Sequence, residues 1–141
     1  MNRKDFLSAI GMSGGGLLLA TCLGACSKSA GDAAVPAAPT GIDFTLDISQ
    51  PANSALNNAG GYVYSNSIIV AKTIAGAIVA VSQACTHQGV TVEYQKSSNQ
   101  FYCPSHGANF NTTGAVVNGP ASSPLKQYTV TVTGNMVRVQ G

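Results

Sequence analysis

Residues 85–107, CTHQGVTVEYQKSSNQFYCPSHG, concentrate the side chains best suited to bind a metal. They hold both histidines of the chain and the only two cysteines outside its N-terminal region. His87 follows Cys85 by two residues, and His106 follows Cys103 by three. Thiolate sulfur and imidazole nitrogen are favoured ligands of transition metals. The spacing therefore indicates a site that takes one sulfur and one nitrogen from each of two short segments.

The local backbone can direct each cysteine and its histidine to one place. In an extended segment, residues i and i+2 point the same way, so Cys85 and His87 can converge. In the second segment a tight turn, restricted by the ring of Pro104, can bring Cys103 and His106 together. Fifteen residues separate His87 from Cys103, which is room for a hairpin. We therefore expect two loops whose tips meet.

Three cross-links are compatible with two cysteines and two histidines. Structural Cys₂His₂ zinc sites usually pair C-x₂₋₄-C with H-x₃₋₅-H, whereas here each segment carries one ligand of each kind. A disulfide between Cys85 and Cys103 is common chemistry in an exported protein, but it leaves the histidines unexplained. A two-iron centre suits one mixed pair per segment better. Gly89 and Gly107 follow the histidines, where a backbone without Cβ can pass close to a bulky cofactor.

The two segments, CTHQG and CPSHG, resemble the signature of Rieske [2Fe–2S] domains, C-x-H-x₁₅₋₁₇-C-x₂-H. The similarity continues through residues 118–121, NGPA, which look like the proline loop that covers the cluster in that family. It extends over about residues 60–140. The resemblance implies an all-β fold, a Rieske-like antiparallel β-sandwich with a small cluster-binding subdomain of loops, residues 84–126, inserted between strands.

The resemblance also implies one [2Fe–2S] cluster per chain. One iron would take the two cysteines and the other the two histidines, with the imidazoles at an exposed tip. Replacing two thiolates by neutral imidazoles raises the reduction potential to about −150 to +300 mV, against about −400 mV for plant-type ferredoxins. No catalytic residue is implied. The cofactor-binding and metal-binding residues are Cys85, His87, Cys103 and His106.

Four positions depart from the quinol-oxidising members of the family. Many of those members join two further cysteines in a disulfide clamp, where this chain has Val90 and Ser105. They also carry a serine and a tyrosine whose hydroxyls bond cluster sulfurs, where this chain has Ala108 and Phe110. Because fewer donors to sulfur lower the potential, we expect a value below that of the quinol-oxidising type.

The elements that position these loops read as short strands. The chain has 141 residues, which favours one domain, and abundant glycine with recurring Val, Ile, Thr and Tyr favours β-structure. Apolar residues alternate or form brief runs at 44–48, 62–64, 67–72, 77–82, 128–132 and 136–139, with a hairpin turn at 133–135. Residues 53–59 are expected to form one short turn at most. The domain is predicted to cover 41–141.

The N-terminal region has the parts of an export signal. Arg3 and Lys4 precede the apolar residues 10–23, a stretch too short and glycine-rich for a comfortable membrane-spanning helix, so an ordinary membrane anchor is disfavoured. Residues 2–7, NRKDFL, resemble a twin-arginine export signal in which Lys4 replaces the second arginine. Residues 1–25 are therefore predicted to be a signal peptide.

A lipidation site is predicted at the end of that signal. Residues 23–26, LGAC, resemble a bacterial lipobox, in which Cys26 is lipidated and becomes the mature N-terminus. Ordinary cleavage after Ala25 competes, but it favours small residues at both specificity positions, and Leu23 is large. Residues 26–40 are small, polar and proline-containing, as in a flexible tether. The pattern predicts a Rieske protein of bacterial lipoprotein form.

Three functions remain open from the residues. The first is a one-electron carrier, lipid-anchored to a membrane at the extracytoplasmic face of the bacterial cell envelope, with cytochromes, quinol-oxidising proteins or molybdenum enzyme subunits as redox partners. The second is a subunit of a larger oxidoreductase complex, of the quinol–cytochrome c or molybdenum type. The third is a non-redox adhesion domain stabilised by zinc or a disulfide. Seven basic against five acidic residues and no basic run disfavour nucleic acid. We expect no separate catalytic pocket, because a free domain of this size has no room for one, and no mononuclear iron site, because both histidines serve as cluster ligands.

Overall fold

The computed structural model describes residues 35–141, a stretch built from ten antiparallel strands and one 3₁₀ helix. The predicted signal peptide (1–25), the lipidation site at Cys26 and the predicted tether up to residue 34 lie outside the described residues. In chain order the elements are β1 (Asp43–Asp47), the 3₁₀ helix (Pro51–Asn57), β2 (Tyr62–Ser65), β3 (Ile68–Lys72), β4 (Ile78–Ser82), β5 (Glu93–Gln95), β6 (Gln100–Tyr102), β7 (Asn109–Phe110), β8 (Val116–Asn118), β9 (Gln127–Thr133) and β10 (Met136–Gln140).

Six of these strands form the body, in the order β1-β10-β9-β4-β3-β2. Strand β9 joins its two halves, because Gln127 and Tyr128 pair with β4 while the residues after them pair with β10. The halves face each other across a body core to which β1, β3, β4, β9 and β10 all contribute buried side chains. The body is thus an antiparallel sandwich, and the predicted fold class is confirmed.

Strand β3 serves two cores at once. Its residues 68–71 are all fully buried, as expected for a brief apolar run without polar alternation. Because successive side chains point to opposite faces, Ile68 and Val70 enter the body core while Ile69 and Ala71 enter a second core. The second core also contains Cys85. A single strand therefore couples the sandwich to the region of the candidate site.

Residues 83–126 form a cluster lobe inserted between β4 and β9. The lobe contains a four-stranded sheet in the order β5-β6-β7-β8, built around the buried Phe101, Phe110 and Tyr94. The prediction of a subdomain made of loops was therefore incomplete. Strands of two or three residues are too short to show a period of two, so their apolar side chains could not be distinguished from loop residues.

The predicted hairpin turn and the predicted short turn had different outcomes. Gly134 and Asn135 connect β9 to β10, and Gly134 has a φ of +57°, so the predicted turn is confirmed. The prediction of one short turn at 53–59 was wrong, because a seven-residue 3₁₀ helix begins at Pro51, the favoured place for a proline. Its Leu56 is fully buried in the body core. Within residues 35–141, no helix has the length and apolarity to cross a membrane.

Residues 36–39 lie along the junction of the body and the cluster lobe, and we call them the strap. The Pro39 carbonyl accepts hydrogen bonds from Lys126 Nζ at 3.1 Å and Tyr128 Oη at 2.7 Å. These residues had been assigned to the flexible tether. The two side-chain donors hold them against the domain instead.

Candidate metal centre

The first ligand loop, residues 85–90, is a tight turn closed at both ends. The Cys85 N–H donates to the Val90 carbonyl at 2.8 Å, and the Gly89 N–H donates to the Cys85 carbonyl at 2.7 Å. Gly89 has a φ of +74°, a conformation that side chains disfavour. The segment is therefore not extended, and the expectation that Cys85 and His87 converge as residues i and i+2 of a strand was wrong.

The second ligand loop, residues 103–108, repeats the same design. The Cys103 N–H donates to the Ala108 carbonyl at 2.8 Å, and the Gly107 N–H donates to the Cys103 carbonyl at 3.0 Å. Gly107 has a φ of +77°. Both glycines are therefore required by the left-handed backbone of the turn, a reason that the sequence analysis had not identified. Equivalent turns place each cysteine at the base of its loop.

The two loops bring the predicted ligands together as two pairs, one of thiols and one of imidazoles. Cys85 and Cys103 are both buried and belong to the same core, and within residues 35–141 both are free thiols. The His87 and His106 rings lie on the outer side, with centroids 4.9 Å apart and planes at 86°. His106 is exposed, whereas His87 is partly buried. Sulfur lies inside and imidazole outside.

A ring nitrogen of His87 is buried without a partner. Among the described residues no group forms a hydrogen bond with its Nδ1. Buried polar atoms are almost always paired, so this unpaired nitrogen, two residues from the buried Cys85, is available as a metal ligand. His106 differs, because its Nδ1 lies 3.1 Å from Ser105 Oγ at the exposed surface.

The surroundings of Cys85 favour its neutral thiol when no metal is bound. Burial raises the pKa of Cys85 above its ordinary value, and the neighbouring Cys103 thiol adds to the rise. Backbone N–H groups of His87 and Gln88 act in the opposite direction, because they donate toward the Cys85 sulfur. A metal binds the thiolate, so metal binding here must release a proton.

The donor arrangement fits two metal ions better than one. In the part of the chain that the structure describes, no three His, Cys, Asp or Glu side chains converge to hold a single ion. A mononuclear zinc site needs four ligands around one point. Two sulfurs inside and two imidazoles outside instead match a binuclear cluster that takes one pair of ligands on each iron. The free thiols likewise give no support to a disulfide.

The surroundings of the thiols carry few hydroxyl groups. Ala108 and Phe110, which stand where quinol-oxidising relatives have hydroxyl residues, are fully buried in the same core as the cysteines. Val90 packs against that core, and Ser105 is exposed. The positions named from the sequence therefore do line the site.

Two asparagines brace the second loop: Asn118, which the sequence placed only in the predicted proline loop, and Asn109, which the sequence did not indicate. Asn118 Nδ2 donates to the Gly107 carbonyl at 2.9 Å, and Asn109 Nδ2 approaches the same carbonyl at 3.2 Å. Asn109 Nδ2 also donates to Asn118 Oδ1 at 2.8 Å. This amide pair ties residue 107, next to His106, to the start of residues 118–121. The only signal for it was an asparagine before the Gly-Pro pair.

A separate contact braces the first loop from the other side. Thr86 Oγ1 donates to the Ser123 carbonyl at 2.6 Å. Ala121, between that carbonyl and the amide pair, is buried in the core that holds both cysteines. Residues 118–123 therefore contact both ligand loops, which agrees with the covering role expected of a proline loop.

Comparisons with known proteins agree with this geometry. The family model described as "Rieske [2Fe-2S] domain" matches residues 50–129. Two cytochrome b6-f complex iron-sulfur subunits are similar: that of Chlorobaculum thiosulfatiphilum is 44% identical over 44% of this chain and 34% of its own length. The subunit of Chlorobaculum tepidum is 34% identical over 58% of this chain and 46% of its own length. The chain thus spans less than half the length of these relatives.

A solved structure supports the same relationship. The cyanobacterial plasma membrane Rieske protein PetC3 of Synechocystis PCC 6803 is 36% identical, with a TM-score of 0.50. The similarity covers 57% of this chain and 85% of that one.

Proposed function

Since the chain belongs to the Rieske [2Fe–2S] domain family, we propose that it is a one-electron carrier whose cluster is held by Cys85, His87, Cys103 and His106. One observation carries the proposal. Two loops with the same backbone hydrogen bonds place two buried thiols beneath two imidazoles, one of which is exposed. When bound, such a cluster takes up and releases one electron at about −150 to +300 mV.

The residues around the centre bury its sulfur side and leave its imidazole side accessible. The buried cysteines keep the inner side away from water, and Ala108, Phe110 and Ala121 pack around them. His106 is exposed at the outer side. An electron partner can therefore approach the imidazole side closely, while the sulfur side remains within the protein. This arrangement supports electron exchange through the histidine end of the lobe.

The test is spectroscopic. We expect the purified protein to contain iron and acid-labile sulfide in equal amounts and, once reduced, to give the EPR signal of a cluster with mixed nitrogen and sulfur ligands. His106→Ala should abolish that signal, whereas the neighbouring Ser105→Ala should retain it. A colourless protein that is fully folded, or a His106→Ala variant with unchanged absorption, would overturn the proposal.

We further propose that the carrier is attached by lipid at Cys26 to the extracytoplasmic face of a bacterial membrane. The LGAC pattern at residues 23–26 supports this location. Cys26→Ser should move the expressed protein from the membrane fraction to the soluble fraction. Cys22→Ser is the matched control, since Cys22 fits no lipidation pattern, and it should leave the protein in the membrane fraction. An unchanged distribution of Cys26→Ser would refute the anchor.

A second candidate is a subunit of a larger oxidoreductase. It is supported by the names of the similar Chlorobaculum proteins, which are iron-sulfur subunits of a cytochrome b6-f complex. A cytochrome or a molybdenum enzyme subunit would then be a permanent partner. Mild detergent purification distinguishes the two candidates, because a carrier purifies alone and a subunit brings a second redox-active chain in fixed proportion.

A further inference from the structure

The strap, residues 36–39, is held at its C-terminal end by two donors, one at the end of the cluster lobe and one in β9 of the body. Lys126 Nζ and Tyr128 Oη both donate to the Pro39 carbonyl, and Lys126 Nζ also lies 4.8 Å from the centroid of the Tyr128 ring. Tyr128 is buried, so the carbonyl lies against a rigid part of the sandwich. Two converging donors on one backbone oxygen specify the position of the strap.

The other end of the strap lies on the first ligand loop. A Cβ built on Gly89 would come within 2.5 Å of Pro36 Cδ, so the Pro36 ring occupies the space that any side chain at position 89 would need. Gly89 is two residues from His87. Between these two ends the strap covers a cavity of about 210 Å³ against residues 82–84. The chain therefore reaches the domain beside the metal centre.

The composition of the strap favours this docking. Proline has a restricted backbone, so ordering residues 36–39, PAAP, costs less conformational entropy than ordering a glycine-rich tether. A simple spacer has no need of contacts with the domain. Here the contacts join the tether to the loop that carries Cys85 and His87.

We propose that the strap sets the point at which the tether leaves the domain, and that it thereby holds the cluster lobe toward the membrane. The second half of this inference depends on the lipid anchor proposed above. The electron partner is then a protein or a small carrier at that same membrane surface.

The length of the free tether limits the distance between the domain and the lipid anchor. From Cys26 to Pro36 there are 36 − 26 = 10 residues, which span at most about 33–36 Å when fully extended. If the strap were released, the chain would be free as far as Gly41, and 41 − 26 = 15 residues span at most about 50–54 Å. Docking therefore shortens the free part of the tether by a third, and this free part begins next to the first ligand loop.

The docking itself can be measured with a nitroxide on Ala38→Cys in the cluster-loaded, lipidated protein. We expect a strongly immobilised spectrum, which becomes mobile in a Lys126→Met/Tyr128→Phe background. The matched control is Lys72→Met/Tyr64→Phe, which removes one lysine and one tyrosine donor to backbone carbonyls away from the strap. A mobile label in the parent protein, or an immobilised label in the Lys126→Met/Tyr128→Phe protein, would overturn the proposal.

A second variant guards against a folding defect at the buried Tyr128. Pro36→Gly removes the ring that covers Gly89 and alters no core residue, because Pro36 is exposed. It should release the same label while the iron content stays unchanged. If the label is as immobilised in Pro36→Gly as in the parent protein, the contact between Pro36 and Gly89 does not hold the strap.

Orientation is tested on phosphatidylcholine vesicles that carry a nitroxide on the lipid headgroup. The protein is first shown to float with the vesicles, and the relaxation of the headgroup label by the reduced cluster is then measured. We expect enhanced relaxation with the parent protein and with the Lys72→Met/Tyr64→Phe control, and loss of the enhancement with Lys126→Met/Tyr128→Phe. Floating protein without any enhancement would refute the orientation.

The two proposals fail in different ways. If the protein does not float, the lipid anchor is wrong and the orientation falls with it, whereas an immobilised label at position 38 still establishes the docked strap. If the protein floats but the label is mobile, the anchor stands and the strap is refuted.

Discussion

The two ligand loops have the same backbone turn but different supports. The first loop, residues 85–90, meets the strap at Gly89 and is bonded through Thr86 to residue 123, and its histidine is partly buried. The second loop, residues 103–108, is supported by the amide pair beneath it and exposes residues 104–106 to solvent. The same turn thus supplies a partly buried histidine on one side and an exposed histidine on the other, while both cysteines are buried.

This difference distinguishes the feature that assembles the centre from the features that decide which ligand a partner can reach. The backbone turn, common to both loops, is what places the sulfurs in the core. The supports, which differ, decide which imidazole meets solvent and a partner. Substitutions in the shared turn should therefore affect cluster binding, and substitutions in the supports should affect tuning and local stability.

The largest effect is expected from the two thiols. Cys85→Ala and Cys103→Ala should each abolish cluster assembly, because each removes one of the two sulfurs on the inner side. Iron and acid-labile sulfide analyses measure this, and both should fall to background in either variant. Ser105→Ala, in the exposed part of the second loop, is the control and should retain both. A variant of one loop that keeps its cluster would show that the loops are not equivalent.

The next effect concerns the reduction potential. Ala108→Ser and Phe110→Tyr should each raise it, because a hydroxyl near a cluster sulfur stabilises the reduced state. A gain of about 1.4 kcal/mol in that state corresponds to about 59 mV for one electron. Protein-film voltammetry gives the value directly. Phe44→Tyr adds the same hydroxyl to the body core and should leave the potential unchanged. If neither lobe variant shifts the potential, this account of tuning fails.

A smaller effect is expected from the support of the second loop. Asn118→Ala removes a donor from the Gly107 carbonyl and should cost about 0.5–1.5 kcal/mol in the free energy of unfolding. It should also broaden the EPR signal, since the turn next to His106 is less constrained. Asn135→Ala, in the distant β9–β10 turn, is the control for asparagine truncation. A sharp EPR signal with an unchanged free energy of unfolding would show that the amide pair does not stabilise the second ligand loop.

The smallest effect concerns the link between the body and the cluster lobe. Tyr64 Oη donates to the Val92 carbonyl at 2.8 Å, so Tyr64→Phe should lose about 1 kcal/mol of stability. Burial, followed by the charges of Tyr62 and Glu93, raises the pKa of Tyr64 to about 12. Because the folded pKa lies above the ordinary value, this contribution is complete below pH 10 and is lost as the pH rises toward 12.

Unfolding experiments at several alkaline pH values measure this contribution. The parent protein should lose stability over that range more steeply than Tyr64→Phe, which lacks the group. Because Tyr62 contributes to the raised pKa of Tyr64, Tyr62→Phe should reduce the difference in slope. Equal slopes for the parent and Tyr64→Phe would contradict the assignment.

The sequence predicted the residues whose side chains can bind a metal. It missed the residues that act through hydrogen bonds to the backbone. Cysteine and histidine at C-x-H and C-x₂-H spacing are rare enough to identify a site, and body strands of four to seven residues are long enough to show their pattern. The strap and the second ligand loop are held by hydrogen bonds to the backbone carbonyls of Pro39 and Gly107. Every residue has such a carbonyl, so no residue pattern marks these contacts. The turn at Cys85 was missed because C-x-H spacing is compatible with both an extended and a bent backbone.

The pairing of β4 with β9 has a consequence for how the protein folds. Ala80 and Val81 lie opposite Tyr128 and Gln127, so the 126 − 82 = 44 residues of the cluster lobe leave and re-enter the sheet at adjacent positions. Closing a loop of that length costs roughly 2 kcal/mol more in chain entropy than closing a four-residue turn. A chain in which a short turn replaces the lobe should therefore pair β4 with β9 faster, but it also exposes Ile69 and Ala71, which the lobe covers in the intact domain.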